Sequence, residues 1–273
     1  MQTIPYSNAH PDVRVMDLFE PAGAKNGACI LWIHGGGWRA GTRAGWHGPA
    51  QHFAARGWFC AAMDYRLAPA WRHPGQIEDV RLAMAFLRAR AGTFGFDGAR
   101  IAAAGSSAGG HLAALVATLG PDDALGLTSE MPVADSRPNA AVCYCPATSL
   151  YGADDPAGKL SPAIGDLMGM TAAEDPEAYR AASPVDRVTG AEPPFLFLHG
   201  DADVTVPLAH SSTMHARLTA AGVPRNWWFS TVWAMASATA SRPRLRKKRS
   251  NTWQDSWRAT SACRSSPREK GIP

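Results

Sequence analysis

The sequence predicts an α/β fold, a mainly parallel sheet with helices on both faces. Three observations carry this reading. Short apolar runs of strand character recur at residues 28–33, 58–63, 101–104, 140–145 and 195–198. Helical patterns fall between several of them. Two glycine-rich turns each stand directly behind a strand-like run.

Residues 13–19 alternate well enough for an early strand. Residues 28–33 (Ala-Cys-Ile-Leu-Trp-Ile) are apolar throughout, the pattern of a strand buried on both faces. A helix is expected over 48–56, and the next buried strand, 58–63, runs into Asp-Tyr-Arg-Leu-Ala-Pro at 64–69. After Pro74, residues Ile77, Val80, Leu82, Ala83, Phe86 and Leu87 recur at helical spacing. Residues 101–104 lead into Gly105-Ser106-Ser107-Ala108-Gly109-Gly110, and 111–117 read as a helix. Strands at 140–145 and 195–198 follow, then a helix over 208–221 closed by Gly222. The stretches at about 121–138 and 149–184 are rich in Pro, Gly, Asp and Ala. Such insertions wall a pocket or form a lid.

The length of 273 residues suits one domain with a sizeable core. The first six residues lack the basic and apolar regions of a signal peptide, and no run approaches a membrane span. A cytoplasmic protein is the expectation, with no membrane partner. Of five cysteines, Cys29, Cys60, Cys143 and Cys145 lie in strand-like segments and read as reduced core thiols. Cys143 and Cys145 would share one face of a strand, without the further ligands that a metal site needs. Neither a metal nor an organic cofactor is expected.

The net charge of +4 is unevenly spread. Residues 225–273 hold eleven Lys/Arg against two Asp/Glu, so residues 1–224 are net acidic. That last stretch also holds five of the ten tryptophans but only three of the aliphatic residues Val, Leu and Ile. It reads as a different kind of polypeptide, and the division predicts a folded domain over 1–224 followed by an aberrant basic tail.

Gly105-Ser106-Ser107-Ala108-Gly109 fits the G-x-S-x-G elbow, in which a serine is held between strand and helix with its hydroxyl clear of the sheet edge. Ser107 is then a nucleophile candidate. The backbone N–H of Ala108, at the helix start, suits a developing oxyanion. Residues 34–38 (His-Gly-Gly-Gly-Trp) supply Gly36 and Gly37, whose N–H groups approach without hindrance from a side chain. Alone that run reads equally well as a strand-to-loop turn, but beside an elbow it reads as a second set of donors. Residues 195–207 offer a strand, a turn and two carboxylates, Asp201 and Asp203. Asp203 is favoured as the acid, because Asp201 directly follows glycine and reads as a turn residue.

With these segments the chain resembles an α/β-hydrolase of the hormone-sensitive-lipase-like esterases, near feruloyl and acetyl-xylan esterases. The likeness runs from about residue 11 to 222 and rests on residues 34–38, 64–69, 105–110 and 199–207. It implies a serine carboxylesterase acting on small or short-chain acyl esters. Ser107 would be the nucleophile, Asp203 the triad acid, and Gly36, Gly37 and Ala108 the oxyanion hole. Ser106 stands where many lipase-like members carry an acidic residue.

One departure is severe. The family's histidine follows the acid in a Gly-His-Gly-Phe-like turn, whereas this chain has no histidine after His215. His210 and His215 come too early, and the other seven precede the acid. The single codons of Trp and Met make part of the underlying DNA readable. With the TCN codons taken for serine, Trp233-Ala234-Met235-Ala236-Ser237 reads TGG GCN ATG GCN TCN. Read two bases later, this becomes Gly, then one of His/Tyr/Asn/Asp, then Gly, then one of Phe/Leu/Ile/Val. The same frame turns the codons of residues 227–232 into a Val-Val-(Phe/Leu) strand and those of 242–258 into an amphipathic helix. A frameshift near residues 224–226 is therefore expected, with the last strand and helix lost to it. The rival readings are an arylformamidase, a non-catalytic binding module of the same fold, and a nucleic-acid-binding tail. The last is disfavoured, since a GC-rich gene read out of frame gives basic sequence.

Overall fold

Eight strands form one sheet in a computed structural model that describes residues 1–131, 133, 135–151 and 161–230, for 225–230 the backbone alone. The strands are β1 (Gln2–Pro5), β2 (Val15–Phe19), β3 (Cys29–Ile33), β4 (Phe59–Met63), β5 (Ile101–Ser106), β6 (Ala140–Tyr144), β7 (Phe195–Gly200) and β8 (Arg225–Ser230). Their spatial order is β1-β2-β4-β3-β5-β6-β7-β8. β1 and β2 join antiparallel, and every pairing from β4 through β3 to β8 is parallel. The helices are α1 (His47–Ala54), α2 (Gly75–Ala89), α3 (Ala91–Phe94), α4 (Ala108–Thr118), α5 (Ser161–Met168), α6 (Pro176–Ala181) and α7 (Ala209–Ala220).

The register explains why the central strands carry no polar face. Leu18, Ala61, Leu31, Ala103, Ala141 and Phe195 lie level across six strands, and all are buried in one core with residues of α2, α4 and α7. Their neighbours in sequence point to the opposite face. There Trp32 stacks on Trp46 at 4.7 Å and meets Phe53 of α1 at 5.6 Å. A strand covered on both sides is apolar throughout, as residues 28–33 foretold. Coverage thins toward β7, where Phe195 and Phe197 are buried but Leu196 and Leu198 only partly.

The structure corrects one expectation outright. The last strand is present: Arg225–Ser230 pairs in parallel along β7. Aromatic residues have high strand propensity, so Trp227, Trp228 and Phe229 suit a sheet edge in the frame that is written. The sheet thus runs six residues past position 224. The expected closing helix and the codons of 233–237 lie outside the described residues.

Charge also shapes the fold. Asp79 of α2 is fully buried and accepts from Arg14 Nε (2.8 Å), Arg66 N (2.8 Å) and Arg66 Nε (2.9 Å). Arg14 also reaches Glu130, at 2.7 Å. Buried Arg81 donates to the carbonyls of Asp123 (2.5 Å) and Leu125 (2.6 Å) and to Ser136 Oγ (2.9 Å). The first insertion is therefore tied to α2 by backbone carbonyls, which fix a loop whatever its side chains are.

Asp79→Ala should destabilise the protein by about 3 kcal/mol, since it removes the fully buried carboxylate that Arg14 and Arg66 share and leaves them only the partly exposed Glu78 and Glu130. Glu130→Gln, at the solvent-facing end of the network, should cost under about 1 kcal/mol. Urea unfolding curves of the two variants check the difference.

Candidate active site

Ser107 joins β5 to α4 with φ 54° and ψ −119°, a conformation that L-residues rarely adopt. Its N–H donates to Tyr144 O at 2.8 Å, and its carbonyl accepts from His111 N at 2.8 Å. The elbow is tight because α4 begins against the end of β3. A Cβ on Gly109 would lie 2.2 Å from Ile33 O and 2.5 Å from His34 O. Only glycine permits that contact.

The residues after β3 fold over the elbow. A Cβ on Gly35 would lie 3.5 Å from Ser107 Cβ, so the glycine run borders the serine directly. Gly36 has φ 115°, and a Cβ there would collide with Ala40 O at 2.0 Å. Gly36 is exposed and Gly37 partly so, while Ala108 is buried at the start of α4. The candidate oxyanion donors thus belong to two backbone segments that converge on Ser107.

Three buried histidines act as struts. His34 Nδ1 donates to Gly35 O at 2.7 Å, and its ring stacks on Tyr65 with centroids 4.2 Å apart. The Tyr65 hydroxyl donates to His34 O at 3.0 Å. Trp38 Nε1 donates to His111 Nδ1 at 3.0 Å, which places the His111 proton on Nε2, facing Ala182 O at 2.8 Å. Burial pushes the His111 pKa down to about 3, so the ring stays neutral. His199 lies between Ser211 Oγ (2.8 Å) and Val206 O (2.9 Å) and supports the loop after β7.

That loop carries Asp203. Its side chain is almost wholly buried, whereas Asp201 is exposed. Asp203 Oδ1 accepts from Thr205 N at 2.8 Å and Val206 N at 3.0 Å, and Oδ2 lies 3.8 Å from His199 Nε2. The carboxylate also meets the thiol of Cys145, which in turn adjoins the Ser107 backbone. The structure therefore brings Ser107, the glycine loop, Ala108 and Asp203 to one end of the sheet. Cys145 was missed as a part of this place. Strand alternation set it beside Cys143, but β6 ends at Tyr144 and Cys145 turns away with φ 37°.

The wall over the site comes from the second insertion. A Cβ on Gly37 would approach Ala163 Cβ of α5 to 3.3 Å, and Arg39 pairs with Asp166 at 2.6 Å. Among the described residues no group of His, Cys, Asp and Glu is arranged to hold a metal, and no helix is long and apolar enough to cross a membrane.

The fold is that of an α/β-hydrolase. Residues 16–218 match the BD-FAE family, and the chain belongs to this hormone-sensitive-lipase-like group. Esterase LipC of Mycobacterium tuberculosis is 35% identical over 201 residues, 70% of this chain and 48% of that protein. Esterase LipQ of the same organism is 33% identical over 195 residues, 71% of this chain and 46% of that protein. The chain spans about half the length of these curated relatives. A butyrate-bound esterase from Thermogutta terrifontis superposes with a TM-score of 0.70 at 26% identity, covering 84% of this chain and 82% of that one. An acetyl ester-xyloside bifunctional hydrolase from Caldicellulosiruptor lactoaceticus shares the fold, with a TM-score of 0.71 at 24% identity over 84% and 85% of the two chains.

Buried His111 and partly buried His73 predict acid lability. His111 (about 3) and His73 (about 4) titrate far below the ordinary 6.5 because burial disfavours their charged forms. The unfolded chain therefore binds more protons below pH 6.5, and stability falls as pH drops from 6.5 toward 3. Melting temperatures measured from pH 7.5 to 4.5 should decline, and His111→Gln should flatten the decline.

Proposed function

We propose that this chain is a serine carboxylesterase of small or short-chain acyl esters that works through an acyl-enzyme. The observation that carries the reading is Ser107, held at positive φ against a glycine loop and at the same sheet end as a buried carboxylate. The esterase names of its relatives support it.

In this reading the Ser107 hydroxyl attacks the ester carbonyl carbon and loses its proton to a base. The carbonyl oxygen takes up negative charge facing the N–H groups of Gly36, Gly37 and Ala108. Collapse of the tetrahedral species expels the alcohol, which receives that proton, and water then releases the acid by the same route. Asp203 orients the base and stabilises its charged form.

The base is the histidine encoded two bases out of frame across the codons of Ala234 and Met235. We attribute the composition of residues 225–273 to a frame slip near residues 224–226. The domain that carries the chemistry is then 1–224, completed in the restored frame by the base turn and closing helix.

As it stands the chain should turn over chromogenic short-chain esters poorly or not at all, since loss of a triad histidine costs on the order of a million-fold. Restoring the frame should raise solubility and restore turnover, and replacing the recovered histidine by alanine should remove it again. In the restored protein Ser107→Ala should abolish activity and Ser106→Ala retain most of it. Asp203→Asn should lower kcat about ten-thousand-fold, and Asp201→Asn far less. Faster cleavage of N-formylkynurenine than of any acyl ester would instead assign an arylformamidase. Full activity of the present sequence, its intact mass verified, would overturn the frame slip.

A further inference from the structure

Cys145 takes no part in the steps above, yet it stands between the two groups that carry them. Ser106 lies level with Tyr144, and Tyr144 with Leu198. One residue further on, Cys145 follows the end of β6, with the elbow on one side and the end of β7 on the other. Two backbone bonds fix it there. Cys145 N donates to Leu198 O at 2.9 Å, and Tyr144 O accepts from Ser107 N at 2.8 Å. With φ 37° the chain has left the pleat, so the side chain no longer follows strand alternation. The residue is 93% buried and its thiol contacts the Asp203 carboxylate.

The acid can take a further donor beside the base. Oδ1 of Asp203 already accepts two backbone N–H bonds, whereas the His199 proton near Oδ2 goes to Val206 O at 2.9 Å. We propose that Cys145 is a positioning residue, whose thiol donates S–H to the Asp203 carboxylate and ties the acid to the nucleophile elbow. Burial keeps the thiol protonated, its pKa pushed up to about 12, so it is a donor at every working pH. The proposal rests on the reading of Asp203 as the triad acid.

Loss of the donor leaves the carboxylate less stabilised and more strongly paired with the charged base. The base then holds its proton to higher pH, and the acidic limb of kcat/KM moves up. In the frame-restored protein, Cys145→Val fills the space without a donor. It should lower kcat about tenfold and raise the acidic limb by about half a pH unit. Cys145→Ser should recover most of both. A role in packing alone would make serine the worse replacement and leave the limb in place, and that result overturns the proposal.

A second measurement needs no turnover. In the chain as it stands, the S–H stretching band lost in Cys145→Ser belongs to this thiol. It should lie at lower frequency than the bands of the other thiols and move upward in Asp203→Asn, where the acceptor is neutral. A band indifferent to Asp203→Asn overturns the proposal even if Ser107 proves to be the nucleophile. A shifted band without turnover in the restored protein would retain the contact and sink the esterase reading instead.

Discussion

Everything at the site depends on how closely α4 starts against the end of β3. The contact of Gly109 with the carbonyls of Ile33 and His34 leaves no room for a side chain. It draws the first turn of the helix down to the sheet, and Ser107 absorbs the geometry in an unusual backbone conformation. The same approach sets the glycine loop beside the serine. The positions of Ser107 and of the glycine loop are thus products of one backbone contact rather than of separate side-chain placements.

Around that contact the protein uses neutral, buried imidazoles as hydrogen-bonding spacers. His34, His111 and His199 each have both the burial and the partners to stay uncharged. His111 and His199 each join a loop to a helix or strand, and His34 braces its own turn while stacking on Tyr65. A neutral imidazole suits this work because it is donor on one side and acceptor on the other. Histidines engaged in this way hold the shape of the candidate site.

Local chemistry was legible in the sequence, and distant partnerships were not. The elbow, the glycine loop and the central strands follow from composition and spacing over a few residues. β1 was missed because Gln-Thr-Ile-Pro is an edge strand, mostly exposed, with no apolar run to mark it. α5 and α6 lie in insertions whose Pro, Gly and Asp content hides short helices; α6 is started by the Asp175 cap and Pro176. The pairing of Arg14 with Asp79 joins residues 65 positions apart, which no window on the sequence detects. Cys145 was misread because alternation holds only while the strand lasts. β8 was misread because a stretch of unexpected composition still contained three adjacent aromatic residues.

The bond from Trp38 through His111 to Ala182 joins three parts of the chain of different character. Trp38 ends the glycine loop, His111 sits on the elbow helix, and Ala182 closes the last helix of the pocket insertion. The contact at the insertion is a backbone carbonyl, so side chains there are free to vary while the strut keeps its length. A pocket built this way can be remodelled for new substrates by substitution. Insertions or deletions just ahead of Ala182 would instead displace the carbonyl and, through one rigid imidazole, tilt the glycine loop beside Ser107. Substrate range in such a scaffold is tuned by which residues line the insertion, and its catalytic geometry is protected by how many residues it contains.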